Sequence, residues 1–528
     1  MFLYFSSPKN TINLSLTMNS RTIISGFFPI SELQSVLREF VKEYFKYSPN
    51  FIDYKIEPLL DLLRDDLNFY IEYPYVDKVF RDSFYNFYST KHSLIDRDCA
   101  RVSFFINTIQ QSDFRDPEFE FNSDLFFGYI SIRPTLPNLI GRTMISPRAY
   151  KSNDFLCCLV NSNVAVNGKK MNVAAFPHSS QDGETITCAE TTIWSVMEYF
   201  GMKYPEYKPV LPSKILGALA NYSYERQLPS RGLTAEQISF ALREFDFGTR
   251  LYSQKSDNGD VDAYSETEFK RLLGYYVESG IPLISSIENK DVGHAIVIMG
   301  RKEIELTSIE IEKYEPQIIK TRTGKLELYD FADFAEEFVA IDDNVPPYNI
   351  IPFDNPTKNY KSTQFQNCKI QNFIVPLYHK IYLEAGGARE LMISYLQNFN
   401  HRLPGNKIIF KLFYTSSRSF KTELNQRINI GPEANEIILN TTMPKFIWVG
   451  LLTNPDLLRK KKANGLIVLD ATGAKIYDSS ILMVSPLGVT TYYSQEETGN
   501  KYVVYDTKIN SFNIFANNLK GKWSQWQS

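Results

Sequence analysis

The chain has 528 residues, a formal net charge of -3, and 43% hydrophobic against 22% charged residues. That balance belongs to a folded protein: it excludes a disordered chain, gives no basic footprint for nucleic acid or a membrane surface, and leaves length for about two to four domains. Five cysteines, odd in number and without a CxxC pair, give no support for a disulfide framework or a structural zinc site and point to a reducing, cytoplasmic setting.

The first ten residues, MFLYFSSPKN, have no basic stretch ahead of a long apolar core, and no run reaches the roughly 18 apolar residues of a membrane helix. Residues 1–150 read as an α+β region of unknown role. Helical spacing of Leu33, Val36, Phe40 and Tyr44 predicts a helix over 31–47, with Ser31 and Gln34 as a capping box. A second helix is expected over 76–88, and strands over 101–106 and 128–133. Arg133 and Arg142 are expected to pair with nearby carbonyls or carboxylates rather than to bind an anion. Cys157 and Cys158, adjacent in the apolar run 155–160, point to opposite sides of a strand and so do not ligate one metal. His178, in a loop rich in Pro and Ser, is a competing candidate for a catalytic base and is otherwise expected to be solvated.

Residues 181–201, QDGETITCAETTIWSVMEYFG, carry the strongest local signal. Ala189, Ile193, Val196, Met197 and Phe200 recur at helical spacing, Thr187 and Glu190 fit a capping box, and Gly201 is placed to end the helix. Cys188 is then the first helical residue, where unpaired amide protons and the helix dipole favour a thiolate, the nucleophilic form. Helices follow near 213–222, over 234–248 with Thr234 and Gln237 as caps, and over 268–279. The strand 283–287 precedes GHAIVIMG, which places His294 at the head of an apolar strand. Residues 302–325 are polar and weakly patterned, and FVAIDD (338–343) is a strand ending in two carboxylates before Pro346 and Pro347. Strand alternation lets only one of Asp342 and Asp343 face an imidazole.

A cysteine at a helix start, a Gly-His at a strand head and an acid at the end of the next strand, in this order, resemble the papain-like cysteine peptidases. The branch most similar is the one containing the bacteriocin-processing, double-glycine leader peptidases. The resemblance covers about 173–352. It implies Cys188 as nucleophile, His294 as base, Asp342 or Asp343 as the orienting acid, and Gln181 as the side-chain donor of the oxyanion hole. Placing the acid at the strand end, just before a turn, favours Asp342 and leaves Asp343 to an Asx turn. The implied chemistry is cleavage of a peptide or isopeptide bond through a thioester, with no cofactor and no metal. The implied partner is a protein or peptide substrate, not a nucleic acid or a membrane.

Beyond 353 the pattern is strand-rich, with strands expected near 408–414, 446–452, 466–469 and 501–505. The expected architecture is therefore α+β: an N-terminal region (1–150), a papain-like core (151–352) with a cysteine helix on an antiparallel sheet, and a C-terminal domain (353–528) available for docking a partner or substrate. Proteolysis is expected first at 303–325 and 353–365. Two other readings remain: acyl transfer by a transglutaminase or deamidase on the same triad, and a non-catalytic peptide-binding scaffold.

Overall fold

The strands of the N-terminal region are rich in aromatic and β-branched residues, and the central ones, Cys99–Ile106 and Phe126–Ile132, are buried on both faces. In the computed structural model the region forms a six-stranded sheet whose main strands, Ile24–Pro29, Leu67–Tyr75, Cys99–Ile106, Phe126–Ile132 and Ile140–Ile145, pair antiparallel in chain order. The structure describes residues 3–4 and 24–521, apart from 123, 137, 223–226, 256–262, 323, 399–405, 429, 474–479, 486–489, 497–498, 506–508 and 510. The helix expected over 31–47 is present, but Ser31 does not cap it. A 3-10 turn (Ile30–Glu32) leads into it without a side-chain cap, and its last turn, Val41–Phe45, is a π-helix.

A seven-stranded sheet stands at the centre. Its order is Phe247–Ser253, Lys369–Tyr378, Leu283–Glu288, Gly293–Lys302, Glu337–Ile341 and Asn349–Pro352, with Phe155–Cys157 also pairing the strand that carries His294. All these pairings are antiparallel. The expected boundary at 352 is corrected here. Lys369–Tyr378 lies between two strands from before that boundary, so the central sheet cannot form without chain from the region taken as a separate domain.

The polar stretch 302–325 is corrected too. It holds a hairpin, Gln317–Thr321 with Gly324–Asp330, whose second strand pairs in parallel with Lys407–Ser416 and so opens an eight-stranded C-terminal sheet. A second hairpin, Val160–Val166 with Lys169–Ala175, turns at Asn167 and Gly168, both at positive φ, where Asn-Gly is the favoured pair. The chain is thus a mixed α+β protein of several mostly antiparallel sheets. Among the described residues no helix is long and apolar enough to cross a membrane.

Candidate functional site

The cysteine helix, Cys188–Lys203, starts at the expected residue. Glu190 accepts the Thr187 amide at 3.0 Å and the Thr187 hydroxyl at 2.5 Å, so the N-terminal turn is tied back on itself. Upstream, Asp182 Oδ1 gathers the amides of Glu184 (2.9 Å), Thr185 (2.7 Å) and Ile186 (3.0 Å), which folds the Gly183 turn into a rigid approach to the helix. Gly201 does not end the helix, which runs on to Lys203. A Cβ at Gly201 would stand 2.4 Å from the nitrogen of Pro209, so the glycine serves a close chain crossing.

His294 opens the strand Gly293–Lys302 and is buried, 5% exposed. Its Nε2 lies 2.9 Å from Asp342 Oδ1, and the ring lines the same cleft as Cys188. Burial works against the charged ring, but the Asp342 carboxylate, its hydrogen bond, the Cys188 contact and Asp343 outweigh it and hold the imidazolium well above its ordinary pKa of 6.5. Phe365 packs edge-on against the ring at 5.7 Å.

Asp342 follows its strand directly and is oriented from three sides. The Asn344 amide donates to Oδ1 at 2.9 Å, His294 meets the same oxygen, and the Tyr360 hydroxyl donates to Oδ2. The Asx turn expected at Asp343 is therefore made by Asp342. The expectation that one carboxylate faces away is corrected as well. Asp343 Oδ1 is 3.4 Å from His294 Nε2, the residue is 4% exposed, and neither of its oxygens has a hydrogen-bond partner. Burial raises its carboxyl well above the usual carboxylate range, with the imidazolium opposing. Half-buried Lys55, on the N-terminal helix Asn50–Leu62, adds a nearby positive charge to this acid pair.

Gln181 is brought to the same cluster at one remove. Its Nε2 reaches Asn344 Oδ1 at 3.4 Å, and Asn344 Nδ2 stands 3.3 Å from His294 Nε2. Its backbone is held from the N-terminal region, because Arg133, 2% exposed, donates to the carbonyls of Ser180 and Gln181 at 2.7 Å each and of Asn138 at 3.1 Å. Arg133 thus pairs with carbonyls, as expected, and Arg142 pairs with the buried Glu198 at 2.7 Å. Tyr360, Phe365, Asn344 and Lys55 were not legible as site residues. The first two come from the stretch expected to be a cleavable linker, which instead packs against His294 and Asp342.

His178 is not solvated. It is fully buried, with Nε2 3.1 Å from the Asp342 carbonyl oxygen, and burial lowers its pKa from 6.5 to about 4. Between those values the unfolded chain binds a proton that the folded one refuses, so this contribution is complete above about pH 6.5 and is lost as pH falls toward 4. Wild type should therefore lose about 2 kcal/mol more than His178→Gln on going from pH 7 to pH 5. Denaturant titrations at both pH values check this, and equal losses would show that the ring takes up its proton in place.

His294, Asp342 and Asp343 present ligand atoms within 4.8 Å of one another, a donor set that suits zinc or iron(II). Here the Asn344 amide and the Tyr360 hydroxyl already donate into Asp342, and the imidazole supplies the positive charge that both carboxylates face. The arrangement places a thiol at a helix N-terminus beside a buried imidazole able to exchange a proton with it. No protein-family model matches this chain, and no curated protein matches it at a significant level.

Proposed function

We propose that the chain is a papain-like thiol hydrolase that cleaves a peptide or isopeptide bond, with Cys188 as nucleophile, His294 as acid and base, and Asp342 as the orienting acid. The observation that carries the reading is one cluster: the first residue of a helix bears a thiol that lines the same cleft as a buried imidazole, whose Nε2 is held at 2.9 Å by a carboxylate. In this reading the Cys188 thiolate adds to the carbonyl carbon, and the oxyanion is received by the Cys188 amide and by the second amide proton of Gln181. The imidazolium then protonates the leaving amine, and water attacks the thioester with the imidazole as base. The helix packed on an antiparallel sheet that bears the His and the Asp is the papain-like core of this proposal.

The four other cysteines are buried, and burial raises the thiol pKa of each, whereas Cys188 is partly exposed. A limiting amount of a vinyl sulfone should therefore label Cys188 first at neutral pH. Peptide mapping reads this, and first labelling at Cys157, Cys158, Cys99 or Cys368 would sink the assignment. New protein N-termini in cells expressing the wild type but not Cys188→Ala would show hydrolysis, and an added amine captured in the products would show transfer.

A further inference from the structure

A cleft of about 550 Å³ opens directly onto Cys188 and His294. Its floor is a row across three strands of the central sheet: Ser286 is paired with Ala295 on one side and with Asn372 on the other, so the three side chains share a face. Two residues on from Ser286, on the same face, stands Glu288. The Ser286 hydroxyl donates to Glu288 Oε1 at 2.6 Å and so aims the carboxylate. A Cβ added at Gly293 would lie 3.6 Å from Glu288 Cγ, so this side chain rests over the residue immediately before His294.

Glu288 is half-buried, and among the described residues it makes no ion pair. Lys369 is its backbone partner across the sheet, yet forms no ion pair with it. Glu236 adds a second carboxylate to the cleft wall, and Arg231, the one Lys or Arg among the described residues that line it, has an interaction of its own. A carboxylate held by a neutral donor, in partial shelter from water and beside small residues, is matched by a long cationic side chain whose methylenes cover Ala295 and whose head reaches the acid.

We propose, on the basis of the thiol-hydrolase reading above, that the substrate is a polypeptide with a Lys or Arg side chain next to the reactive carbonyl, recognised by Glu288. A neutral stem of the same length leaves the carboxylate without a partner, and an acidic residue meets repulsion from Glu288 and Glu236. The cleft thus selects for charge through one residue that takes no part in the bond rearrangement.

The test uses the full chain and peptidyl vinyl sulfones that carry Lys, norleucine or Glu either at the residue bearing the electrophile or at the one before it. Each reacts by addition of the Cys188 thiolate to the vinyl carbon, with the proton supplied by the His294 imidazolium. In wild type the Lys probe should react with Cys188 about tenfold faster than the norleucine probe at one of the two positions, and the Glu probe slowest. Glu288→Gln should bring the Lys to norleucine ratio, taken within the same protein, close to one, and Glu288→Lys should favour the Glu probe. Equal wild-type rates for Lys and norleucine at both positions, with Cys188 still labelled, overturn the basic-residue proposal and leave the hydrolase reading standing. Failure of every probe to label Cys188 overturns both.

Discussion

Asp342→Asn should leave the chain folded and reduce turnover, and with it the vinyl sulfone reaction at Cys188, by about three to four orders of magnitude. The amide keeps an oxygen for the Asn344 backbone N–H, so the turn after the strand survives. What goes is the negative charge 2.9 Å from His294 Nε2, the main attraction that holds the buried imidazolium above its ordinary pKa. Without it, burial favours the neutral ring and the thiol keeps its proton. Asp343→Asn should behave differently. Its carboxylate has no hydrogen bond to lose, so the folded state is retained or gains stability when a buried charge is removed. Asp343 also raises the His294 pKa, so its removal lowers that pKa and moves the alkaline limb of the pH-rate profile to lower pH. Rates, profiles and melting temperatures of both variants decide the matter, and an active Asp342→Asn beside a folded but inactive Asp343→Asn would exchange their roles.

The parts of this site that could be read from sequence are those whose cause is local. Thr187 and Glu190 start a helix three residues apart, Gly-His heads an apolar strand, and an acid ends another, so each element carries its own signal. Tyr360 donates to Asp342 from a polar stretch with no pattern, and Lys55 and Arg133 arrive from sheets and helices far away in sequence. Nothing local marks such contacts. The same limit explains Lys369–Tyr378: an apolar run shows that a strand is buried, not that it lies between two strands formed about a hundred residues earlier. Gly201 shows the opposite failure, a local rule applied where a crossing chain made the demand. The Asn167–Gly168 turn is legible by its chemistry.

The largest stability effect is expected away from His294, at Glu278, and it bears on how the C-terminal sheet supports the site. Glu278 ends the helix Glu266–Glu278. Its Oε1 pairs with Arg301, on the strand that carries His294, and its Oε2 lies 2.7 Å from Lys411, on the C-terminal strand Lys407–Ser416. All three residues are buried. Glu278→Gln would leave two cations out of water without a counter-charge, which costs about 3 to 5 kcal/mol in comparable buried pairs. Replacing the whole group, with Glu278→Leu, Arg301→Met and Lys411→Met together, should cost far less or even stabilise, because no charge is then stranded. The two cations also hold the Glu278 pKa down to about 2 against burial, so in wild type this contribution is full above about pH 4.5 and is lost as pH falls toward 2. Denaturant titrations of the single and triple variants separate the cases. A loss below about 1 kcal/mol for Glu278→Gln would mean that water reaches Arg301 and Lys411 and that the group is a surface pair in its energetics. A large loss, recovered in the triple variant together with the reactivity of Cys188, would show that the C-terminal sheet holds the His294 strand by packing, and that the ion group specifies how the two meet.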